Sequence, residues 1–208
     1  MKVAVIGGTG SMGKAVARKL AQNNQVIIGS RDPSKAKAAA KDIPGATGAD
    51  YLTAARESNA IVFAIPHSAI DTVAELADAV AGKLVISMIN PLKMEGGLLA
   101  YAFDDGSAAE RLARVLPKSR VATAFNNVPA GFLRDEIVPP VDILIAADSK
   151  ETYEEAAELV RGIREMRPLH AGPLSEARMV ECITPLVLNL AKFNGMGALT
   201  TRFVTRKG

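Results

Sequence analysis

Three glycines stand at Gly8-x-Gly10-x-x-Gly13, directly behind the β-branched run Lys2–Ile6 and directly ahead of a helical pattern over Ser11–Asn23. In that setting the spacing is that of a dinucleotide site. Gly8 lets the chain turn off the strand, Gly10 lets the backbone approach a pyrophosphate, and Gly13 lets helix and strand pack closely. The phosphates then meet the positive N-terminus of the helix, where Ser11 and Met12 fall. A second strand, Gln25–Gly29, follows. Sites for NAD place Asp or Glu at the end of that strand, about 20 residues past the motif. This chain has Ser30, then Arg31, with Lys35 one helical turn later. A hydroxyl, a guanidinium and an ammonium suit a 2′-phosphate dianion, which a carboxylate would repel, so NADP(H) is the expected cofactor. Asp32, ahead of Pro33 and Ser34, reads as a helix cap.

Groups for acid–base or nucleophilic work are scarce. His67 and His170 are the only histidines, Cys182 is the only cysteine, and no Ser/His/Asp or Cys/His set can be assembled. Asp71, Glu75 and Asp78 read as the solvated face of a helix. No catalytic residue and no metal ligand set is expected. A carbonyl reduction would need a proton donor matched to the working pH. Hydride transfer between two redox cofactors needs only that both be held at close range, oriented and kept from water.

The elements that must position these residues alternate. After helix 34–41 and a short helix near 52–57 comes Asn59–Pro66, a continuous apolar run suited to a parallel strand covered on both faces. Its exit, Ile65-Pro66-His67, is expected against the cofactor. Helix 70–81, strand 83–87, helix 108–116 and strands 120–125 and 141–147 continue the order, which predicts a Rossmann-type, doubly wound parallel α/β sheet. Ligands belong at the carboxyl ends of its strands, where Asn90-Pro91-Leu92 and Asn126-Asn127-Val128-Pro129 also fall. Helix 150–164, a Pro-rich turn over 167–173 and an apolar helix 175–194, interrupted by Pro185, complete the chain. Residues 1–148 are expected to form the NADP-binding domain. Residues 149–208 are expected to form a small helical appendage that completes the site of the second redox cofactor and takes part in a dimer contact.

The chain has 208 residues, a net charge of +3 and 4% aromatic residues without tryptophan. Its positive charges are spread without a run, which argues against nucleic acid. A single cysteine excludes an intrachain disulfide. The first residues read as a buried strand, not a signal peptide, and no apolar stretch is long enough to span a bilayer. A cytoplasmic protein without a membrane partner is expected.

Gly7–Lys14, Gly29-Ser30-Arg31, Ala64-Ile65-Pro66 and, above all, Arg167–Ser175 through Leu186 to Phe193–Gly197 resemble the archaeal and bacterial NADPH-dependent reductases of the deazaflavin coenzyme F420. The resemblance covers essentially the whole chain. A second similarity is to the cytosolic reductase domain of the transmembrane STEAP metalloreductases. The resemblance implies that Thr9, Ser30, Arg31 and Lys35 hold the 2′-phosphate, that Ser11 and Met12 touch the pyrophosphate, and that the Ala130 backbone meets the nicotinamide carboxamide. It places the acceptor ring between Pro91-Leu92, the loop Asn126–Pro129 and the turn that carries Met196 and Leu199. It also implies a homodimer built in part by the last helix. The chain departs from the pattern at Asn126, where archaeal members carry His, and in a loop after Pro66 that is one residue shorter. FMN or FAD therefore stands beside coenzyme F420 as acceptor. A redox sensor that binds NADP(H) without turnover is the reading from another class.

Overall fold

The computed structural model describes residues 1–134 and 139–206. Its elements are β1 (Lys2–Ile6), α1 (Ser11–Leu20), β2 (Gln25–Gly29), α2 (Pro33–Ala40), β3 (Thr47–Ala49), α3 (Tyr51–Glu57), β4 (Ala60–Phe63), a 3₁₀ helix (His67–Leu76), β5 (Leu84–Ser87), β6 (Leu92–Glu95) and β7 (Leu98–Tyr101). There follow α4 (Ala108–Val115), β8 (Arg120–Thr123), α5 (Ala130–Arg134), β9 (Val141–Ala147), α6 (Lys150–Arg161), β10 (Met166–Gly172), a 3₁₀ turn (Leu174–Glu176) and α7 (Ala177–Phe193).

Eight strands form one sheet in the order β10-β9-β8-β5-β4-β1-β2-β3. The six from β8 to β3 are all parallel and have the order of the dinucleotide-binding fold. The strand order reverses at β1, so the crevice lies beyond the carboxyl ends of β1 and β4. Alternate residues of β1 face opposite layers. Val3 and Val5 pack with Val16 and Leu20 of α1, whereas Ala4 and Ile6 pack with Ala54 of α3, Ile70 and Leu112 of α4. Burial on both faces is what the unbroken apolar strands require.

Several sequence-based expectations are corrected. β9 runs antiparallel to β8 and pairs with it only at Ala122–Ala147 and Thr123–Ala146. The Pro-rich stretch expected as a turn is strand β10, parallel to β9. It is the sheet's edge, where the N–H missing at Pro168 need not cost a ladder bond. The helix expected over 70–81 is a 3₁₀ helix that begins at His67. There the Thr72 hydroxyl donates to the Ala69 carbonyl at 2.7 Å, the local competition that disfavours a regular α-helix. Strand β3 and the hairpin β6–β7 were not expected. Gly96 and Gly97 both take positive φ, 56° and 78°, as a two-residue hairpin turn requires.

Candidate functional site

The loop from β1 to α1 is built by contact between backbones. A Cβ at Gly13 would stand 2.4 Å from the Gly7 carbonyl oxygen and 2.7 Å from the Gly8 Cα, so only glycine lets α1 start this close to the strand. Gly10 is different. A Cβ there would meet nothing nearer than the Gly7 oxygen at 3.5 Å, an ordinary contact, so the fold itself leaves room for a side chain. Gly10 is the N-cap of α1, makes no side-chain cap, and no acidic residue lies in the first turn. The first-turn N–H groups, those of Ser11, Met12 and Gly13, therefore face outward without a carboxylate or hydroxyl among the described residues, as a pyrophosphate needs.

At the end of β2 the Ser30 side chain is buried, and its oxygen accepts from the Asp32 N–H at 3.2 Å, which leaves the hydroxyl proton free to be donated. Asp32 is committed to α2: its carboxylate accepts from the Ser34 N–H at 2.9 Å and the Lys35 N–H at 3.4 Å. Arg31 and Lys35 are exposed, and neither side chain has a hydrogen bond or ion pair among the described residues. Two unpaired cations beside a free hydroxyl, with the local carboxylate turned to capping, fit a 2′-phosphate. Beside them a cavity of about 270 Å³ is lined by Arg31, Asp50, Tyr51, Leu52, Glu75 and Leu76. Asp50 caps α3 through the Thr53 N–H at 2.8 Å, and this bond holds its carboxyl below the usual range. Burial pushes the Tyr51 phenol up, against the lowering effect of Arg31. The slot has the apolar walls and the guanidinium that an adenine ring prefers.

A second cavity, of about 170 Å³, lies across the carboxyl ends of β5 and β8 and is lined by Met12, Asn90, Asn126, Asn127, Val128, Pro129, Thr184, Val187 and Leu188. Phe125, at the exit of β8, has φ of +65°, a conformation costly for an aromatic residue. It turns the next two asparagines back toward the sheet. The Asn126 amide donates to the Ile89 carbonyl at 3.2 Å and to Asn90 Oδ1 at 3.1 Å, and its Oδ1 accepts from the Thr123 hydroxyl at 2.5 Å. Its main-chain carbonyl accepts from Asn90 Nδ2 at 3.0 Å and from the Thr184 hydroxyl at 2.7 Å. Asn126 thus clamps three elements together, and both its amide donors are already spent.

The cavity joins four of the sequence-assigned acceptor residues, Asn126 to Pro129, with Met12 of the cofactor loop. Ala130 follows directly as the first residue of α5. Pro91, Leu92, Met196 and Leu199 do not line it, and Met196 is exposed. Ile65 is buried at the exit of β4; Thr9 lies in the glycine loop. His67 packs edge-on against Phe103, ring centroids 5.6 Å apart, while His170 lies against Tyr153 at 4.5 Å. A separate hollow of about 290 Å³ between Arg18, Gln22, Pro44 and Arg134 sits at the far end of α1, away from the helix terminus that attracts phosphate.

Residues 149–208 were expected to complete the acceptor site, but sequence reasoning missed the wall that α7 supplies through Thr184, Val187 and Leu188. Its only signal was Thr184-Pro185, a helix-breaking pair inside an apolar helix. It also missed what holds the hairpin. Asn189 accepts from the Leu99 N–H at 3.1 Å and donates to the Leu99 carbonyl at 2.7 Å, as a neighbouring strand would. Glu181, fully buried, accepts from the Tyr101 hydroxyl at 2.6 Å and from the Ala108 and Ala109 N–H groups at 3.0 and 3.1 Å. Burial raises its pKa in spite of these bonds.

Residues 2–91 match the family model described as NADP oxidoreductase, coenzyme F420-dependent. The F420-dependent NADP reductase of Methanothermobacter marburgensis is 40% identical over 91% of this chain and 92% of its own length. The metalloreductase STEAP3 of Rattus norvegicus is 30% identical over 88% of this chain but only 36% of its own. A solved structure of a candidate F420-dependent NADP reductase from Arthrobacter sp. FB24 superimposes with a TM-score of 0.86 at 22% identity, covering 99% of this chain and 100% of that one.

The two helix-entry glycines should separate folding from binding. Gly13→Ala should lower unfolding stability by about 3 kcal/mol, the upper range for overpacking, measured by urea titration. Gly10→Ala should unfold like the parent yet bind NADPH at least about tenfold more weakly by calorimetry, a loss of about 1.4 kcal/mol. Equal behaviour of the two variants would refute this division.

Proposed function

The chain belongs to the coenzyme F420-dependent NADP oxidoreductase family, and from that membership and the two cavities beside the glycine loop we infer how its residues divide the work. The protein transfers a hydride between NADP(H) and coenzyme F420. When bound, the nicotinamide and the deazaflavin supply all of the redox chemistry. The chain's part is to bind, orient and exclude water.

Ser11, Met12 and the glycine backbone hold the pyrophosphate. Ser30, Arg31 and Lys35 hold the 2′-phosphate, and Tyr51 and Leu76 flank the adenine. The acceptor ring takes the cavity formed by Asn126–Pro129 and α7, against the nicotinamide end of the cofactor, with the Ala130 N–H available to the carboxamide. The observation that carries this reading is Met12. It belongs to the first turn of the phosphate-binding helix and also lines the acceptor cavity, so the two ligands meet across one side chain. Residues 149–208 contribute α7 as the acceptor's outer wall.

A second copy of the chain is the partner we assign to the exposed face of α7. Met179, Leu186, Leu190 and Phe193 follow one another at helical spacing and are 66, 57, 45 and 70% exposed. A stripe of that kind marks an interaction surface. Among the described residues no helix is long and apolar enough to cross a membrane.

Mixed anaerobically with NADPH, the protein should bleach coenzyme F420 much faster than FMN or FAD; preference for either flavin, or no bleaching at all, would overturn the acceptor assignment. Arg31→Glu should weaken NADPH binding by about 10- to 100-fold, as loss of a charge-assisted bond to phosphate implies. NADH binding should change little, and equal losses for both would remove Arg31 from the phosphate. The double variant Leu186→Glu, Phe193→Glu should run as a monomer in light scattering where the parent runs as a dimer; an unchanged mass would exclude this face.

A further inference from the structure

The segment after α7 returns to the sheet and docks where β8 has left β9 without a neighbour. β8 pairs with β9 only at Ala122–Ala147 and Thr123–Ala146, so the start of β9 lacks a strand on that side. Thr200–Phe203 fills the gap: the Asp142 N–H donates to the Thr201 carbonyl at 3.1 Å. The Asp142 carboxylate, fully buried, then accepts from Arg167 Nε at 2.7 Å and Nη2 at 2.8 Å, from Arg202 Nη1 at 3.0 Å and from the Phe203 N–H at 2.6 Å. Arg167 Nη2 also reaches the Phe203 carbonyl at 2.8 Å.

This anchorage touches the acceptor cavity through one residue. Asn127 lines the cavity, and its Nδ2 donates to the Asp142 carbonyl at 2.6 Å and to Thr201 Oγ1 at 2.8 Å. The Thr200 hydroxyl donates to the Asn127 carbonyl at 3.0 Å. The strap therefore grips Asn127 at both its side chain and its main chain. Asn127 Oδ1, buried and without a partner among the described residues, keeps the orientation that these donations impose. A buried carboxylate with two guanidinium partners is an expensive anchor compared with apolar packing. What apolar packing would lack is a fixed geometry for the strap, since hydrogen bonds to a charged group are directional.

We propose that Asp142 is a positioning residue for the hydride acceptor: by tying Thr200–Phe203 to the start of β9, it sets the wall of the cavity at Asn127. It touches neither ligand and acts through the strap. The inference rests on the acceptor occupying the cavity at Asn126–Pro129.

Two variants test it in the full-length protein. Asp142→Asn keeps the shape and removes the charge; Phe203→Pro, at a half-exposed position, removes a single N–H to the same carboxylate. The KM for coenzyme F420 should rise about tenfold in the first, as expected for loss of a bond to a charged group, and to a smaller extent in the second. The KM for NADPH should stay within about twofold in both, because its 2′-phosphate and adenine contacts at Ser30, Arg31, Lys35 and Tyr51 lie outside the cavity that Asn127 lines. Hydrogen exchange of the Asn127 and Val128 amides should quicken in both variants whether or not any acceptor is turned over. Unaltered exchange, or equal rises in the two KM values, would overturn the inference. Faster exchange with no turnover of coenzyme F420 even by the parent would instead leave the strap standing and remove the acceptor assignment.

Discussion

The backbone of the first helix meets the backbone of the preceding loop at a distance that no side chain can share, because a Cβ at Gly13 would stand 2.4 Å from the Gly7 oxygen. Gly7 itself turns with φ of +83° under the Ala64 carbonyl. This contact sets the height of the helix over the edge of the sheet. With the helix so low, its unsatisfied N–H groups open into the crevice where the strand order reverses. The cations at Arg31 and Lys35 then stand on one side of that point and the asparagine loop on the other. A helix started one side chain farther out would present the same residues to bulk water.

The second economy of the structure is that its buried polar groups serve as struts and leave the chemistry to the ligands. Asn126, Glu181 and Asp142 are all buried, and each ties together segments far apart in sequence. The two carboxylates differ in kind. Burial dominates at Glu181 and lifts its pKa, its bonds being to a phenol and to N–H groups. At Asp142 burial acts in the same direction but is outweighed by Arg167, the Phe203 N–H and Arg202 together, and the carboxyl is held below its ordinary value. Neither group lines the acceptor cavity. A hydride passing between two rings asks the protein for distance and orientation, and rigid amide and carboxylate clamps behind the cavity wall provide both.

Much of this was legible in the chain. The glycine spacing, the change from β-branched runs to helical periodicity and the replacement of an acidic residue by Ser30 and Arg31 each act over a few residues, where covalent geometry and local sterics decide. Asp32 as a cap was legible for the same reason. Illegible were the β10 strand, because prolines signal a break unless the strand is known to lie at an edge, and the reversed direction of β9, which depends on how a connection crosses the sheet. Asn126 read as a ligand-facing residue; only the positions of Ile89 and Asn90, in the loop after β5, reveal that its amide donors are spent.

By itself, then, the sequence determined a dinucleotide fold, the phosphate-binding turn and the preference for a second phosphate on the ribose, since each is written in contacts between residues within about one supersecondary unit. The tertiary structure alone decided what closes the acceptor cavity. Thr184, Val187 and Leu188 reach it from α7, and Asp142 finds Arg167, Arg202 and Phe203 25, 60 and 61 residues away. Partners at such separations are chosen by the packing of the whole chain, and no local pattern of residues records the choice.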